Sequence, residues 1–192
     1  MKKVKALLLA AGLGTRLRPL TNNWPKCLMP IGDRPLLEYW LETLWQAGIH
    51  DVLVNIHYLP TVVENFLARP RFRSWVHSVK EKNLLGTAGT FRENADFFCE
   101  STVLLIHADN WCQCQFRKFV DFHKHKRPNG TVMTMMTFGS DTPKTCGIVE
   151  TDLNGIVVGL HEKVTNPPGT KANAAVYLLE PEILDWLEQY PE

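Results

Sequence analysis

The amino-acid sequence predicts one three-layer α/β/α domain around a mostly parallel sheet that becomes mixed toward its C-terminal end. Three observations carry this expectation. Short apolar runs alternate with helical stretches up to about residue 130, the rhythm of successive βαβ units. The first apolar run leads directly into a glycine-rich turn. After residue 130 the chain changes to closely spaced strand-like runs joined by short links.

Val4 to Ala10 is short and continuously apolar, as a strand buried on both faces must be. A Pro-, Thr- and Asn-rich loop follows from Pro19 to Gly32. Pro35 then opens a helix in which Leu36, Leu37, Trp40, Leu41, Leu44 and Trp45 recur at helical spacing, with Gly48 as its stop. Asp51 to His57 reads as a second buried strand, Thr61 to Ala68 as a short helix and Trp75 to Val79 as a third strand. Gly86 to Phe98 fits a helix weakened by its glycines, and Val103 to Ala108 is another strand. Thr131 to Phe138, Cys146 to Thr151, Gly155 to His161 and Ala174 to Leu179 complete the strands, with Asn154-Gly155 as a hairpin turn. Pro181 to Tyr190 forms the last helix. Without an internal repeat, low-complexity tract or linker, residues 1–192 form one domain.

Composition narrows the function classes. The 192 residues are 45% hydrophobic and 21% charged, with a formal net charge of +1. No overall field attracts nucleic acid or an anionic membrane, so any anion site must be built locally. Five cysteines without a regular framework point to reduced thiols. The run Ala6 to Ala11 is too short for a signal-peptide core, and no run approaches membrane-spanning length. The expectation is a soluble cytoplasmic protein without nucleic-acid or membrane partners, self-association being left open.

The turn Ala10-Ala11-Gly12-Leu13-Gly14-Thr15 closes the first strand. At that edge of an open α/β sheet, exposed backbone N–H groups meet ligands, and Gly12 and Gly14 carry no side chain to hold a phosphate away. Arg16, Arg18 and Lys26 follow. A triphosphate needs such cations to neutralise it and the charge on a departing pyrophosphate. Leu17 stands where a dinucleotide fingerprint needs its third glycine, and the Gly-Lys-Ser/Thr of a Walker loop is absent. Taken alone, a Gly-x-Gly element also fits a plain turn with solvated arginines.

LLLAAGLGTRLRPLT followed by PKCLMPIGDRPLLEY, from Leu7 to Tyr39, resembles the signature of the sugar-1-phosphate nucleotidyltransferases. The resemblance implies a Rossmann-like nucleotidyltransferase fold, with a nucleoside triphosphate and a sugar 1-phosphate as partners and Mg²⁺ as cofactor. It implies that Ala10, Ala11, Gly12, Gly14, Thr15, Arg16 and Lys26 hold the nucleotide. Arg16 and Lys26 would also be catalytic, Arg16 stabilising the transition state and leaving group, Lys26 pairing with the α-phosphate or pyrophosphate. Many members carry glycine where this chain has Ala10-Ala11.

Lys80 to Gly89, KEKNLLGTAG, resembles the family's base-holding segment, in which Gly86 and Thr87 would pack beside the nucleoside. Members using uridine or thymidine nucleotides often have glutamine where Glu81 stands. A carboxylate only accepts, and guanine presents two adjacent donors, so Glu81 favours GTP. The segment is closest in pattern to mannose-1-phosphate guanylyltransferases. Uridylyl or thymidylyl transfer to another sugar 1-phosphate is the alternative, and a Glu81 merely solvated between two lysines is the bland reading. In LLIHAD, Asp109 closes a strand where the family's Mg²⁺-binding and catalytic aspartate stands; a hard cation wants oxygen ligands and phosphates.

Gly147, Glu162, Lys163 and Asn173 match the family's sugar-phosphate half-site in order. The glycine would meet the sugar through its backbone, the glutamate would accept from sugar hydroxyls, and the lysine would pair with the phosphate. Cys146 replaces a common tyrosine and Ala175 a common glycine, which leaves the sugar open between mannose 1-phosphate and related manno-configured sugars such as a heptose. Family members usually continue past the last helix to a second metal-binding aspartate. Here the sequence stops at Glu192, and Asp185 lies within the helix, so a non-catalytic nucleotide- or sugar-phosphate-binding homologue is the competing expectation. Cys112, Cys114, His107, His123 and His125 lack zinc-site spacing. Asp109-Asn110-Trp111 lacks the Asp-x-Asp expected of a GT-A-type glycosyltransferase.

Overall fold

The computed structural model describes residues 2–189. In chain order its elements are β1 (Val4–Leu9), β2 (Pro30–Ile31), β3 (Arg34–Pro35), α1 (Leu36–Gln46), β4 (Val52–Ile56), α2 (Pro60–Leu67), β5 (Val76–Lys80), α3 (Gly86–Glu93) and α4 (Ala95–Phe98). There follow β6 (Thr102–His107), α5 (Phe116–His125), β7 (Met133–Gly139), β8 (Gly147–Thr151), β9 (Val157–Glu162), β10 (Lys171–Leu179) and α6 (Glu182–Gln189).

The main sheet runs in the order β5-β4-β1-β6-β10-β8-β9, with β7 on the other side of β10. β5, β4, β1 and β6 are mutually parallel. β10 enters antiparallel beside β6 and also pairs with β7 and β8. The helices connecting the parallel strands have to cross the sheet faces, which buries both sides of β1. Ala6 and Leu8 point into the core shared with Trp40, Leu44, Phe66 and Phe116. Leu7 points into the opposite core, with Phe91, Phe98 and Leu187. These are the three layers that the continuous apolar run of β1 predicts. Trp40 is completely buried, and truncating such a side chain costs about 3–5 kcal/mol.

Several expected elements shift. The helix expected from Gly86 to Phe98 is two pieces, interrupted at Asn94, whose side chain donates to the Thr90 carbonyl oxygen (2.8 Å). The expected loop from Pro19 to Gly32 contains two one-turn helices (Leu20–Asn22 and Lys26–Leu28) and the start of the β2–β3 hairpin. β10 begins at Lys171 rather than Ala174, with a register shift between Asn173 and Tyr177. Within it Ala175 has φ +54°, the left-handed region that favours glycine. This is the position where the family commonly has one. Tyr190, the expected end of the last helix, lies outside the described residues. No helix among the described residues is long and apolar enough to cross a membrane.

Candidate nucleotide-binding site

The C-terminal ends of β1, β4 and β6 open on a cleft of about 230 Å³. Its lining includes Ala10, Ala11, Gly12, Lys26, Glu81, Gly86, Thr87 and Asp109, drawn from four separate stretches of sequence. Gly14, Thr15 and Arg16 are not among the lining residues. Thr15 and Arg16 belong to an exposed one-turn helix (Thr15–Leu17) beyond it.

The two loop glycines do different things. Gly12 lines the cleft, and a Cβ built on it would meet no protein atom within 4 Å. Gly14 has φ +63°, and a Cβ there would lie 2.9 Å from Thr21 Cγ2 and 3.2 Å from Lys26 Cβ. Thr21 also donates to the Gly14 carbonyl oxygen at 2.7 Å. The fold of the loop by itself thus requires a glycine at position 14. Ala10 lines the cleft as well, with its N–H donating to Asn55 Oδ1 at 2.7 Å. Among the described residues, no backbone hydrogen bond engages the N–H groups of Ala11, Gly12 or Leu13.

Lys26 Nζ and Asp109 Oδ2 form an ion pair at 2.7 Å across the cleft lining. Residues 83 apart in sequence thus meet at one point. Asp109 is held by its neighbours: Trp40 Nε1 donates to the Asn110 carbonyl oxygen (2.8 Å), and Asn110 Nδ2 donates to the Ala174 carbonyl oxygen (3.0 Å). Two residues before Asp109, at the end of β6, His107 Nε2 lies 3.3 Å from Thr87 Oγ1. Burial pushes the His107 imidazole below its ordinary value, against the opposing Asp109 carboxylate, so it lines the cleft as a neutral group. Cys27, also in the cleft lining, is buried, and burial raises its thiol to about 12; the protonated thiol is no nucleophile.

Glu81 is not a solvated charge between lysines. It is 7% exposed and belongs to a buried polar cluster. Its Oε1 accepts from Asn55 Nδ2 (2.9 Å) and from the Thr90 hydroxyl, while Oε2, among the described residues, receives only the Leu85 N–H at 3.4 Å. Oε1 is thus engaged by two donors, and Oε2 is the less engaged of the two oxygens. Asn55 and Thr90, both lining the cleft, have no counterpart among the expected site residues. An asparagine inside the otherwise apolar run Val52–Ile56 was their one visible signal.

Gly147, Glu162, Lys163 and Asn173 form a second group, outside the cleft lining. Gly147 and Glu162 are paired across β8 and β9, and a Cβ on Gly147 would meet Glu162 Oε2 at 2.5 Å. The glutamate therefore lies over the glycine. Lys163, at φ +50°, has its Nζ 3.6 Å from Glu162 Oε1, with both side chains solvent-open. Asn173 Nδ2 donates to Tyr177 Oη (2.7 Å), and its Oδ1 accepts the Ala175 N–H (2.8 Å). The Asn110–Ala174 bond ties this region to the loop that carries Asp109.

Comparison with known proteins identifies the family. The family model described as Nucleotidyl transferase matches residues 5–192. A mannose-1-phosphate guanyltransferase of Saccharomyces cerevisiae is 31% identical over 194 residues, 98% of this chain and 53% of that protein. A UTP–glucose-1-phosphate uridylyltransferase of Synechocystis is also 31% identical, over 96% of this chain and 51% of its own. The chain thus spans about half the length of the curated relatives it matches. The crystal structure of a UDP-glucose pyrophosphorylase complexed with UDP-glucose superposes with a TM-score of 0.81 at 19% identity, covering 98% of this chain and 80% of that one. Matched by the family model over nearly its whole length and sharing the fold, the chain belongs to the nucleotidyl transferase family.

Proposed function

We propose that this chain carries out, or forms the nucleotide-binding part of a protein that carries out, transfer of a nucleotidyl group to a sugar 1-phosphate. The observation that carries the proposal is the meeting of Lys26 and Asp109 in one cleft with the open backbone of Ala11 and Gly12. A phosphate-oxygen nucleophile of the sugar 1-phosphate attacks the α-phosphorus of the nucleoside triphosphate. The new P–O bond forms as the bond to the β-phosphate oxygen breaks, and pyrophosphate leaves in line. The protein needs no covalent intermediate, only positioning and charge neutralisation.

The roles divide by place. The N–H groups of Ala11, Gly12 and Leu13 cradle phosphate oxygens. Lys26 balances the charge developing on the α-phosphate and pyrophosphate, and Arg16, on its exposed turn, reaches the leaving group. Asp109 is the residue to hold Mg²⁺. Its Oδ2 meets Lys26, its side chain is 44% exposed, and the described residues contain no further cluster of metal-ligating side chains around it. That donor set suits a magnesium ion that takes its remaining oxygens from phosphates and water, and the ion supplies neutralisation of phosphate charge. Glu162 and Lys163 orient the sugar and its phosphate, with Gly147 and Asn173 beside them.

GTP and mannose 1-phosphate are the preferred substrates in this reading, supported by the acceptor-only carboxylate of Glu81 and the resemblance to guanylyltransferases. A uridylyl or thymidylyl transferase is the second reading, favoured by the equally similar Synechocystis relative. The test is pyrophosphate release from the four nucleoside triphosphates against a panel of sugar 1-phosphates with Mg²⁺. Release that requires both substrates supports transfer. Nucleotide binding without turnover, in a chain known to be full length, would reduce the protein to a binding homologue.

A further inference from the structure

We infer that Cys112, Cys114 and Met136 form a binding site for a soft monovalent metal ion, of which copper(I) is the biological example. Residues 111–115 lead from the loop of Asp109 into α5 without forming helix, strand or turn. Their side chains alternate: Trp111, Gln113 and Gln115 are exposed, while Cys112, Cys114 and then Phe116 turn inward. In extended chain, residues two apart share a side, so the Cys-x-Cys spacing sends both thiols the same way. Both pack against the core that contains Phe116, and so does Met136 of β7. Cys112 Sγ lies 3.8 Å from Met136 Sδ, a contact between residues 24 apart in sequence. Two thiols and a thioether thus gather on one side of the segment.

The donor set selects the metal. Thiolates and thioethers are polarisable and favour soft ions, whereas Mg²⁺ takes oxygen. Zinc would need further thiolate or imidazole ligands, and among the described residues no group of three His, Cys, Asp or Glu side chains is placed to hold an ion. Copper(I) can be held by three sulfurs in a trigonal arrangement. With metal–sulfur bonds of about 2.3 Å, that arrangement sets the sulfurs about 4 Å apart, close to the separation already present between Cys112 and Met136. Burial raises the Cys112 thiol to about 11, with the neighbouring Cys114 adding to the rise, and burial raises Cys114 too. Both thiols are therefore protonated in the metal-free protein, and each gives up its proton as its sulfur takes the ion. Cys114 also lines an open cavity of about 510 Å³ between the end of α1 and the start of α5, which supplies the way in from solvent.

The test is titration of the reduced full chain with copper(I) under nitrogen against a chromogenic chelator. X-ray absorption counts the sulfurs, and thermal melts control for folding. One tight equivalent is expected, bound by three sulfurs with release of two protons, and zinc is expected not to displace it. Cys112→Ser and Cys114→Ser should each lose the tight equivalent, whereas Cys99→Ser, which removes an exposed thiol, should keep it. Met136→Leu nearly conserves volume and should fold; it should bind more weakly, with the sulfur count down from three to two. If a serine variant fails to fold, Met136→Leu decides. No tight binding by the wild type, a tight equivalent that survives loss of either cysteine, or a sulfur count unchanged in Met136→Leu would overturn the inference. Each of these results leaves the nucleotidyltransferase reading untouched.

Discussion

Replacing the two loop glycines one at a time separates binding from folding. In Gly14→Ala the new methyl sits in the left-handed region, which costs about 1–2 kcal/mol, partly offset by about 0.4–1 kcal/mol of lost unfolded-state freedom. It also lies 2.9 Å from Thr21 Cγ2 and 3.2 Å from Lys26 Cβ, and forcing an extra methyl against such neighbours adds about 1–3 kcal/mol. The net is about 3 kcal/mol of destabilisation, a fall in melting temperature of roughly 6–12 °C for a domain of this size. In Gly12→Ala the methyl meets nothing within 4 Å, so melting stays within about 2 °C of wild type. That methyl stands where the phosphates would approach, and GTP affinity is expected to fall about tenfold or more. Differential scanning fluorimetry and calorimetric titration measure the two effects. A Gly12→Ala variant that binds GTP like wild type, or a Gly14→Ala variant with an unchanged melting temperature, would refute the division of roles.

Three further outcomes follow from the geometry. Lys26→Ala and Asp109→Asn should each lower turnover by about 10²–10³, the scale of removing one group that stabilises developing charge, while stability changes by less than about 1 kcal/mol because the pair is partly exposed; equal loss in both stability and turnover would contradict this. The buried His123 touches Thr134 and Glu180, and Arg127 and Lys2 also reach Glu180. Burial, with help from Arg127, holds the His123 imidazole below its ordinary value; Glu180 is also lowered, because bonds from Lys2 and His123 outweigh the upward push of burial. In both cases the folded state binds protons less readily than the unfolded one. Stability is therefore full above about pH 6.5 and declines as the pH falls, first through His123 and then through Glu180. Thermal melts of wild type and His123→Gln between about pH 7 and 4 check the sign: the variant should lose the upper part of the slope. A wild-type stability that rises on acidification would reverse the assignment. Ala175→Gly should leave melting unchanged or raise it by a few degrees, roughly 2–4 °C per kcal/mol of relieved left-handed strain; a clear drop would mean that the alanine methyl contributes packing that outweighs its backbone strain.

Much of this was legible in the chain itself, for local reasons. β1 declares itself because both of its faces are buried, so every residue from Ala6 to Leu8 is apolar. The helix α1 is legible because its core face repeats at helical spacing. The strand lengthening of β10 was not, since Lys171 to Asn173 carries no apolar run and becomes a strand by pairing with β7 and β8. Within the site, Asp109 and Lys26 could be named by motif, but their contact joins residues far apart in sequence and is a property of the β1–β6 register. Glu81 lines the cleft, but its burial and partners were not legible. Its environment is set by Asn55 and Thr90, neither of which belongs to a recognisable pattern. The same holds for Gly14, where the motif suggests a phosphate and the backbone angle with Thr21 supplies a reason of its own.

The most direct test of nucleotidyl transfer follows the phosphate labels. Incubation with mannose 1-phosphate, Mg²⁺ and GTP labelled at the α-phosphate should move the label into the nucleotide sugar. Label at the γ-phosphate should appear in pyrophosphate. Transfer of the γ-label to the sugar phosphate, or its release as inorganic phosphate with no nucleotide sugar formed from GTP or any of the other nucleoside triphosphates, would contradict attack at the α-phosphorus in the cleft of Lys26 and Asp109.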